Sequence, residues 1–293
     1  PTIQFSINPE SYTKDNVFII VTGEDAHSGV KRVRPKDRIW TDGESIIYEV
    51  SENGTYEFEV EDEVGLTHSD SITIETIDKI PPEISLTQNG GDWAKSHATK
   101  IVATDDYSGV AEVKYTWSTD DVFPTNEFAT YSMGEEITTP DETGEQHLHV
   151  RAIDFAGNVR ELTSSPFKVD VTGPTQPTIS APESWQNTDV TVEITDGLDE
   201  HSGVNYTEYR IDQGSWNTYE NDFTISNEGE TIVEARTVDK LDNISEISSK
   251  TVKIDKTLPE ITLTENGGDW AKSHATKIVV TDNKSGVGEI EYV

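Results

Sequence analysis

The sequence predicts an all-β protein built from several small β-sandwiches in tandem. Polar and apolar residues alternate along many short segments, among them residues 56–60, 146–153, 188–195 and 231–238. This period of two indicates strands with one buried face. No stretch of twelve residues between glycines, prolines or other helix-breaking residues keeps the 3.6-residue period of a helix. Turn residues recur at the spacing expected for sandwiches of about seven strands each.

An internal repeat shows how these sandwiches are ordered. Residues 89–102 recur letter for letter as residues 266–279, and residues 82–116 agree with residues 259–293 at 26 of 35 positions. The intervening segment resembles the start of the chain only loosely. A chain that copies itself in this way is a tandem array, and here two domain types alternate.

The boundaries between domains have a common pattern. An alternating strand ends in Asp78, Asp170 or Asp255, and a proline follows within a few residues. Proline donates no backbone hydrogen bond, so it ends the strand ladder and stiffens the connection. We therefore predict domains at residues 1–80 (type A), 81–173 (type B) and 174–257 (type A), and the N-terminal part of a further type B domain at 258–293. The short linkers favour an end-to-end arrangement.

Composition narrows the classes of function. The chain has 56 acidic and 22 basic side chains, for a net charge of −34, which disfavours nucleic acid and anionic lipid as partners. The absence of cysteine excludes disulfides and thiolate metal ligands. No apolar run approaches the roughly 18–20 residues that span a membrane, and no signal peptide or sorting motif is visible. We expect the chain to be part of a longer protein.

Further motifs recur at matching places. Ser-Gly-Val occupies residues 28–30, 108–110, 202–204 and 285–287, each time preceded by acidic residues. The third unit adds Trp185, a Tyr-Arg-Ile-Asp segment at 209–212 and an Ala-Arg-Thr-Val-Asp segment at 235–239. This pattern resembles the bacterial immunoglobulin-like repeats of large surface proteins, mostly of Gram-positive bacteria. The resemblance implies an extracellular location and an immunoglobulin-like topology. The basic run at residues 31–38 departs from the pattern.

In that topology, three sources of carboxylates would meet at each domain junction. The Ser-Gly-Val loop and the loop after the sixth strand lie at one pole, where the aspartate of the preceding linker arrives. The candidate ligands are Asp78, Asp105, Asp106 and Asp154 at the first junction, Asp170, either Asp196 or Asp199, Asp239 and Asp242 at the second, and Asp255 and Asp282 at the third.

A calcium ion is the cofactor that such oxygen clusters predict. Clustered carboxylates repel one another unless a cation neutralises them, and Ca²⁺ takes about 6–8 oxygen ligands, to which Asn158 and Asn243 would add carbonyls. Asp105 is the stronger candidate beside Asp106, because the repeat retains it as Asp282. The alternative is ordinary turn chemistry, in which these side chains accept hydrogen bonds from their own backbone.

Other candidates favour structural roles. We expect Trp93 to cap a sandwich core, and His97 to have no metal role. Aromatic residues Tyr206, Tyr209, Trp216 and Tyr219 would either stack on a sugar or pack the core and shield a sheet. His147 and His149 lie on one face of a strand and would need a third ligand to bind zinc. No catalytic set stands out.

We therefore expect no enzyme but an architectural region of an extracellular surface protein, forming a stiff rod, fibre or surface layer. Its partners would be other copies of itself or the cell-surface matrix. Two alternatives stay open: an adhesin-type array that binds glycans or host proteins, and an accessory region of a secreted enzyme.

Overall fold

The computed structural model of the chain describes residues 1–125 and 127–293. Within these residues the structure contains no helix long and apolar enough to cross a membrane. The strands are β1 (Thr2–Asn8), β2 (Val17–Glu24), β3 (Val30–Pro35), β4 (Thr41–Asp42), β5 (Ser45–Val50), β6 (Gly54–Asp62), β7 (Thr67–Ile74), β8 (Glu83–Leu86), β9 (Gly91–Ala94), β10 (Ala98–Thr99), β11 (Ile101–Thr104), β12 (Val110–Ser118), β13 (Ala129–Thr130), β14 (Ile137–Thr138), β15 (Gly144–Asp154), β16 (Val159–Thr163), β17 (Phe167–Val169), β18 (Thr178–Ser180), β19 (Val190–Thr195), β20 (Val204–Ile211), β21 (Asn217–Thr218), β22 (Phe223–Ile225), β23 (Gly229–Asp239), β24 (Ser248–Ile254), β25 (Glu260–Leu263) and β26 (Ile278–Thr281).

The first sandwich consists of two antiparallel sheets. One has the strand order β1-β2-β5 and the other β4-β3-β6-β7, which is the strand arrangement of an immunoglobulin-like domain. Alternate residues of β2 and β6 face inward, and Ile19, Phe58 and Val60 are fully buried between the sheets. The prediction of an all-β fold of immunoglobulin-like sandwiches is confirmed.

The second sandwich has one large sheet and shorter strand pairs. The large sheet has the order β13-β12-β15-β17-β9, and β16 pairs with β15. Strand β11 pairs with β8, and β10 pairs with β14. Leu148, Val150 and Phe167 are fully buried in its core.

The third sandwich repeats the arrangement of the first. Its sheets have the orders β18-β19-β22 and β21-β20-β23-β24, and Val192, Val233 and Ile254 are fully buried between them. Strands β25 and β26 then form an antiparallel pair.

A β-bulge follows the Ser-Gly-Val motif in each of these three sandwiches. The pairing register shifts between Val30 and Arg32 in β3, and the same shift occurs at the start of β12 and β20. The glycine before each bulge has a positive φ of 81–83°, a conformation that glycine adopts without steric cost. Glycine and bulge together turn the loop so that successive backbone N–H groups point toward one acidic side chain.

The chain divides into two compact units. The first comprises residues 1–92 and 96–169, and the second comprises residues 93–95 and 170–293. The first unit contains the first sandwich and nearly all of the second, and the second unit contains the third sandwich and the β25–β26 pair. The division into four domains drawn from the sequence stays a prediction.

Candidate metal centres

The linker residue Asp78 is the first member of a carboxylate cluster in the first unit. Its side chain is 2% exposed, and Oδ1 accepts a hydrogen bond from the backbone N–H of Ile80 at 3.0 Å. Oδ2 accepts one from the backbone N–H of Ser108 in the second sandwich at 3.1 Å. The carboxylate therefore connects the linker to the Ser-Gly-Val loop.

Asp105 is the second member, and it organises that loop. Its Oδ1 accepts hydrogen bonds from the backbone N–H groups of Tyr107 at 3.2 Å and Gly109 at 2.7 Å, and from Ser108 Oγ at 3.4 Å. Within the described residues, no donor reaches Oδ2 of Asp105. One oxygen thus fixes the loop and the other remains available to a ligand.

Asp154, at the end of β15, is the third member and is paired with Asn158. The backbone N–H and the side-chain Nδ2 of Asn158 donate to the two oxygens of Asp154, each at 2.8 Å. The same Nδ2 also donates to the backbone carbonyl of Asp78 at 2.9 Å. Asn158 therefore binds the linker directly.

The three carboxylates form a close group that has no cationic partner in the described part of the chain. Asp78, Asp105 and Asp154 each offer an oxygen within 4.8 Å of the others, and no Lys or Arg of the described residues forms an ion pair with them. Two unit charges at this distance repel by roughly 3 kcal/mol at an effective dielectric constant of about 20. Backbone donors relieve this repulsion only in part.

The second unit contains an equivalent group. Asp170, Asp199 and Asp239 also offer oxygens within 4.8 Å of one another, and Asp170 and Asp239 are fully buried. Ser202 N–H donates to Asp170 at 3.1 Å, and Gly203 N–H donates to Asp199 at 2.8 Å. Asn243 Nδ2 donates to Asp239 at 2.8 Å and to the backbone carbonyl of Asp170 at 3.2 Å.

Hydrogen bonds keep Asp170 ionised despite its burial. Burial raises the pKa of this carboxyl group, but the hydrogen bonds from Ser202 and Thr172 outweigh that effect and lower its pKa below the ordinary value. A carboxylate that stays charged in a buried position is suited to a cation ligand.

A third set begins at Asp255. Ser285 N–H donates to Asp255 Oδ2 at 3.0 Å, and Gly286 N–H donates to Asp282 at 2.8 Å. The hydrogen bonds from Ser285 lower the pKa of Asp255. This pair reproduces the linker and loop carboxylates of the other two clusters.

Not every predicted ligand joins a cluster. Asp106, Asp196 and Asp242 are exposed and lie outside both groups of three. Asp106 directly follows Asp105, and Asp242 lies three residues after Asp239 in the turn that follows β23. In these turns Asp105 and Asp239 belong to a cluster, whereas Asp106 and Asp242, which are close to them in sequence, do not.

The two clusters fit the oxygen chemistry of calcium. Opposite ligands of a Ca²⁺ ion, bound at about 2.4 Å each, lie roughly 4.8 Å apart, so the three carboxylates of either cluster are close enough to share one ion. Each asparagine uses Nδ2 as a donor, and no donor among the described residues reaches its Oδ1. The side chains that would coordinate the ion therefore offer only hard oxygen ligands, as Ca²⁺ requires.

The aromatic candidates have structural roles. Tyr209 stacks on Phe223 at 4.3 Å in the third core. Trp216 lies between the guanidinium groups of Arg210, at 4.6 Å, and Arg236, at 4.2 Å. These rings pack the core and shield a sheet, which was one of the two alternatives.

The expectation for Trp93 is wrong. Its ring is not part of the second core but makes an edge-to-face contact with His201 at 5.0 Å. Trp117 packs against that core instead. Trp93 lies on β9, and periodicity alone does not reveal its contact with His201.

The histidine pair does not form a ligand set. His149 is fully buried, and its ring nitrogens contact Thr163 Oγ1 and the Asp120 carbonyl, each at 3.0 Å. His147 instead contacts the carbonyl of Ser164 at 3.3 Å. Sequence patterns gave no signal for the buried position of His149.

Comparisons with known proteins add likeness of fold only. No protein-family model matches the sequence, and neither does any curated protein. The chain is similar to a Ca²⁺-stabilised adhesin with which an Antarctic bacterium binds ice, at 14% identity over 90% of this chain and 77% of that one, with a TM-score of 0.48. It is also similar to a 1.5-MDa bacterial ice-binding adhesin, at 14% identity over 87% and 98% and a TM-score of 0.43. A third likeness is to fibronectin(III)-like modules of Clostridium thermocellum CbhA, at 14% identity over 65% and 100% and a TM-score of 0.25.

Proposed function

We propose that this chain is a structural repeat region of an extracellular bacterial surface protein, with Ca²⁺ ions that stiffen its domain junctions. The observation that supports this is the repeated group of three carboxylates without a cationic side-chain partner in the described chain. Such regions form a rod, a fibre or a surface layer, and the sequence resemblance favours a Gram-positive source. The role is architectural, without catalysis.

Calcium would act by neutralising charge between a linker and a sandwich. Each group takes one carboxylate from the linker and two from loops of the sandwich that follows in the sequence. With the ion bound, Asp78 is attracted to the same centre as Asp105 and Asp154. Without it, the three carboxylates repel one another and the linker is held by hydrogen bonds alone.

Two tryptophan rings are covered by arginine side chains, which disfavours them as platforms for sugars. Sugar-binding sites need an open aromatic face, whereas Trp40 is covered by Arg32 at 4.7 Å and Arg34 at 4.2 Å. Trp216 is covered in the same way. We accordingly propose other copies of the chain or the surface matrix as partners.

Calcium binding is tested by melting the chain in excess Ca²⁺ and in chelator. Ligand at about 100 times its Kd stabilises a protein by about 2.7 kcal/mol, which shifts the melting temperature of a domain of this size by roughly 10 °C or more. We expect a shift of this order for the wild-type chain. Melts that coincide in Ca²⁺ and chelator would contradict the proposal.

Two neighbouring substitutions provide a matched comparison. Asp105→Asn retains an oxygen for the loop hydrogen bonds but removes one charge, so it should reduce the calcium-dependent shift of the second sandwich. Asp106→Asn changes the adjacent residue, which lies outside the cluster, and should leave the shift intact. Equal effects of the two substitutions would indicate a response to overall charge instead of a site.

A further inference from the structure

The main chain of Asp78 belongs to the first sandwich, although its side chain binds the second. Its N–H donates to the carbonyl of Thr13 at 2.9 Å, and the N–H of Thr13 donates to Thr76 at 2.9 Å. Thr13 and Ile77 thereby form a parallel bridge at the edge of the first sandwich. One residue closes this edge and also accepts a hydrogen bond from Ser108 of the second sandwich.

The other half of the same edge is also bound by the second sandwich. The backbone N–H of Lys14 donates to the carbonyl of Ala156 at 3.2 Å, and its Nζ donates to the carbonyl of Gly157 at 2.9 Å. Ala156 and Gly157 lie in the loop between β15 and β16. The two segments that pair across the edge are therefore both hydrogen-bonded by the following sandwich.

Asn158 strengthens this connection from within the same loop. It is 8% exposed and donates through Nδ2 to the carbonyl of Asp78 at 2.9 Å. A bridge of a few hydrogen bonds at the edge of a sheet is where local opening begins, and an open edge exposes backbone groups that pair with other chains. Bonds from outside the sandwich resist that opening.

We propose that the second sandwich controls the opening of the first by holding the Thr13–Ile77 bridge closed. The hydrogen bonds that hold the bridge closed are made by Asp78, Lys14 and Asn158. It requires only hydrogen bonds, so it operates without a cation and goes beyond the proposed calcium function. Its consequence is that the first sandwich is less prone to edge-to-edge association when the second is folded and docked.

The linker half of this arrangement occurs twice in the second unit. The N–H of Asp170 donates to Ala94 at 2.9 Å while its carboxylate accepts from Ser202. The N–H of Asp255 donates to Gln186 at 2.8 Å while its carboxylate accepts from Ser285. The device is therefore a repeated feature of this chain.

The test is amide hydrogen exchange at Thr13 and Asp78 in the full chain, measured in chelator. Asn158→Ala removes the amide that binds the linker, and we expect both amides to exchange roughly five- to tenfold faster, the effect of losing one or two hydrogen bonds. Amides of the first core, such as that of Ile19, should change less. Unchanged exchange at Thr13 and Asp78 would overturn the proposal.

Asn243→Ala is the matched control. It removes the equivalent amide from the third sandwich, so exchange should accelerate at Asp170 and stay unchanged at Thr13 and Asp78. Equal acceleration at Thr13 by both substitutions would overturn the proposal. If Asn158→Ala unfolds the second sandwich, which exchange at Leu148 reports, the proposal still requires faster exchange at Thr13. Because chelator is present throughout, the result is independent of whether calcium binds.

Discussion

The basic residues of β3 and the adjoining Lys36 have acidic partners across the sheet on β6. Lys31 and Arg32 both bind Glu61, at 3.1 Å and 2.6 Å, and Arg34 and Lys36 bind Glu59 and Glu57. Four of the five basic residues in the run that departs from the repeat pattern thus have acidic partners within the same sandwich.

Glu61 gives a prediction of pH dependence at the residue scale. Its hydrogen bonds with Arg32, and then with Lys31, lower its pKa. A carboxyl group whose pKa is lowered by folding stabilises the protein above its unfolded-state pKa, and this contribution is lost as the pH falls through the folded-state pKa. We expect Glu61→Gln to destabilise the first sandwich at pH 7 but to match the wild type near pH 2.

Urea unfolding followed by an NMR signal of Val60 measures this difference. Glu10→Gln, at an exposed glutamate, is the control and should have little effect at either pH. A destabilisation by Glu61→Gln that persists unchanged at pH 2 would show that charge pairing is not its cause.

At the scale of elements, each complete sandwich covers one sheet face with arginine and aromatic side chains. In the third sandwich, Arg210 and Arg236 come from the paired strands β20 and β23 and enclose Trp216. In the second, Arg151 lies over Phe123 and Phe128, at 5.4 Å and 4.9 Å. The same sheet position is therefore shielded by different aromatic residues in different sandwiches.

Trp216 should contribute measurably to the stability of the third sandwich. Each cation–π contact at an exposed site contributes about 0.5–1 kcal/mol, so we expect Trp216→Ala to cost about 1–2 kcal/mol. Trp216→Phe, which retains an aromatic face, should cost less. Hydrogen exchange of the Val233 amide in the adjacent strand measures the stability of the third sandwich. If Trp216→Phe lowers this stability as much as Trp216→Ala, the ring face has no stabilising role.

At the scale of the whole molecule, charge is the dominant feature. The net charge of −34 is distributed along the whole chain, and repulsion between like charges destabilises compact states. Ion pairs such as those on β3 are local and do not remove this excess. The folded chain should therefore respond to ionic strength even where no specific ion binds.

Sodium chloride in the presence of chelator should raise the melting temperature. The screening length falls from about 30 Å at 0.01 M salt to about 10 Å at 0.1 M, so most of the increase should occur over this range. Choline chloride at the same ionic strength should act equally, because screening does not depend on the cation. A fall in melting temperature would show that surface ion pairs outweigh the general repulsion.

Much of this organisation follows from sequence patterns, because a period of two specifies which residues of β2, β6 and β23 face inward. The grouping of Asp78, Asp105 and Asp154 followed from topology, since strand order decides which loops share a pole. Sequence patterns did not predict that the Asp105 side chain joins the cluster and the Asp106 side chain does not, because this depends on the local conformation of the turn. Binding of calcium to either group stays a prediction.

Other features lie beyond what patterns reveal. The amide nitrogen of Asn158 binds the Asp78 carbonyl and the carboxylate of Asp154, which no sequence pattern predicted; the contribution of its carbonyl to an ion stays a prediction. The contacts of Trp93 with His201, and of Lys14 with Gly157, join residues that are far apart in sequence and have no shared period. Such contacts depend on how complete sandwiches meet.

The connection through the Ser-Gly-Val loop is made to a backbone atom. In three copies the linker carboxylate accepts a hydrogen bond from the serine N–H, whereas Ser28 N–H in the first copy donates to Asp25 of its own loop. The residue before the serine differs among those three copies, as Tyr107, His201 and Lys284. Because the linker carboxylate recognises the same backbone atom in all three, duplication of one sandwich by recombination also duplicates a compatible attachment. The array can therefore lengthen in evolution without new complementary surfaces, while the residue before the serine varies.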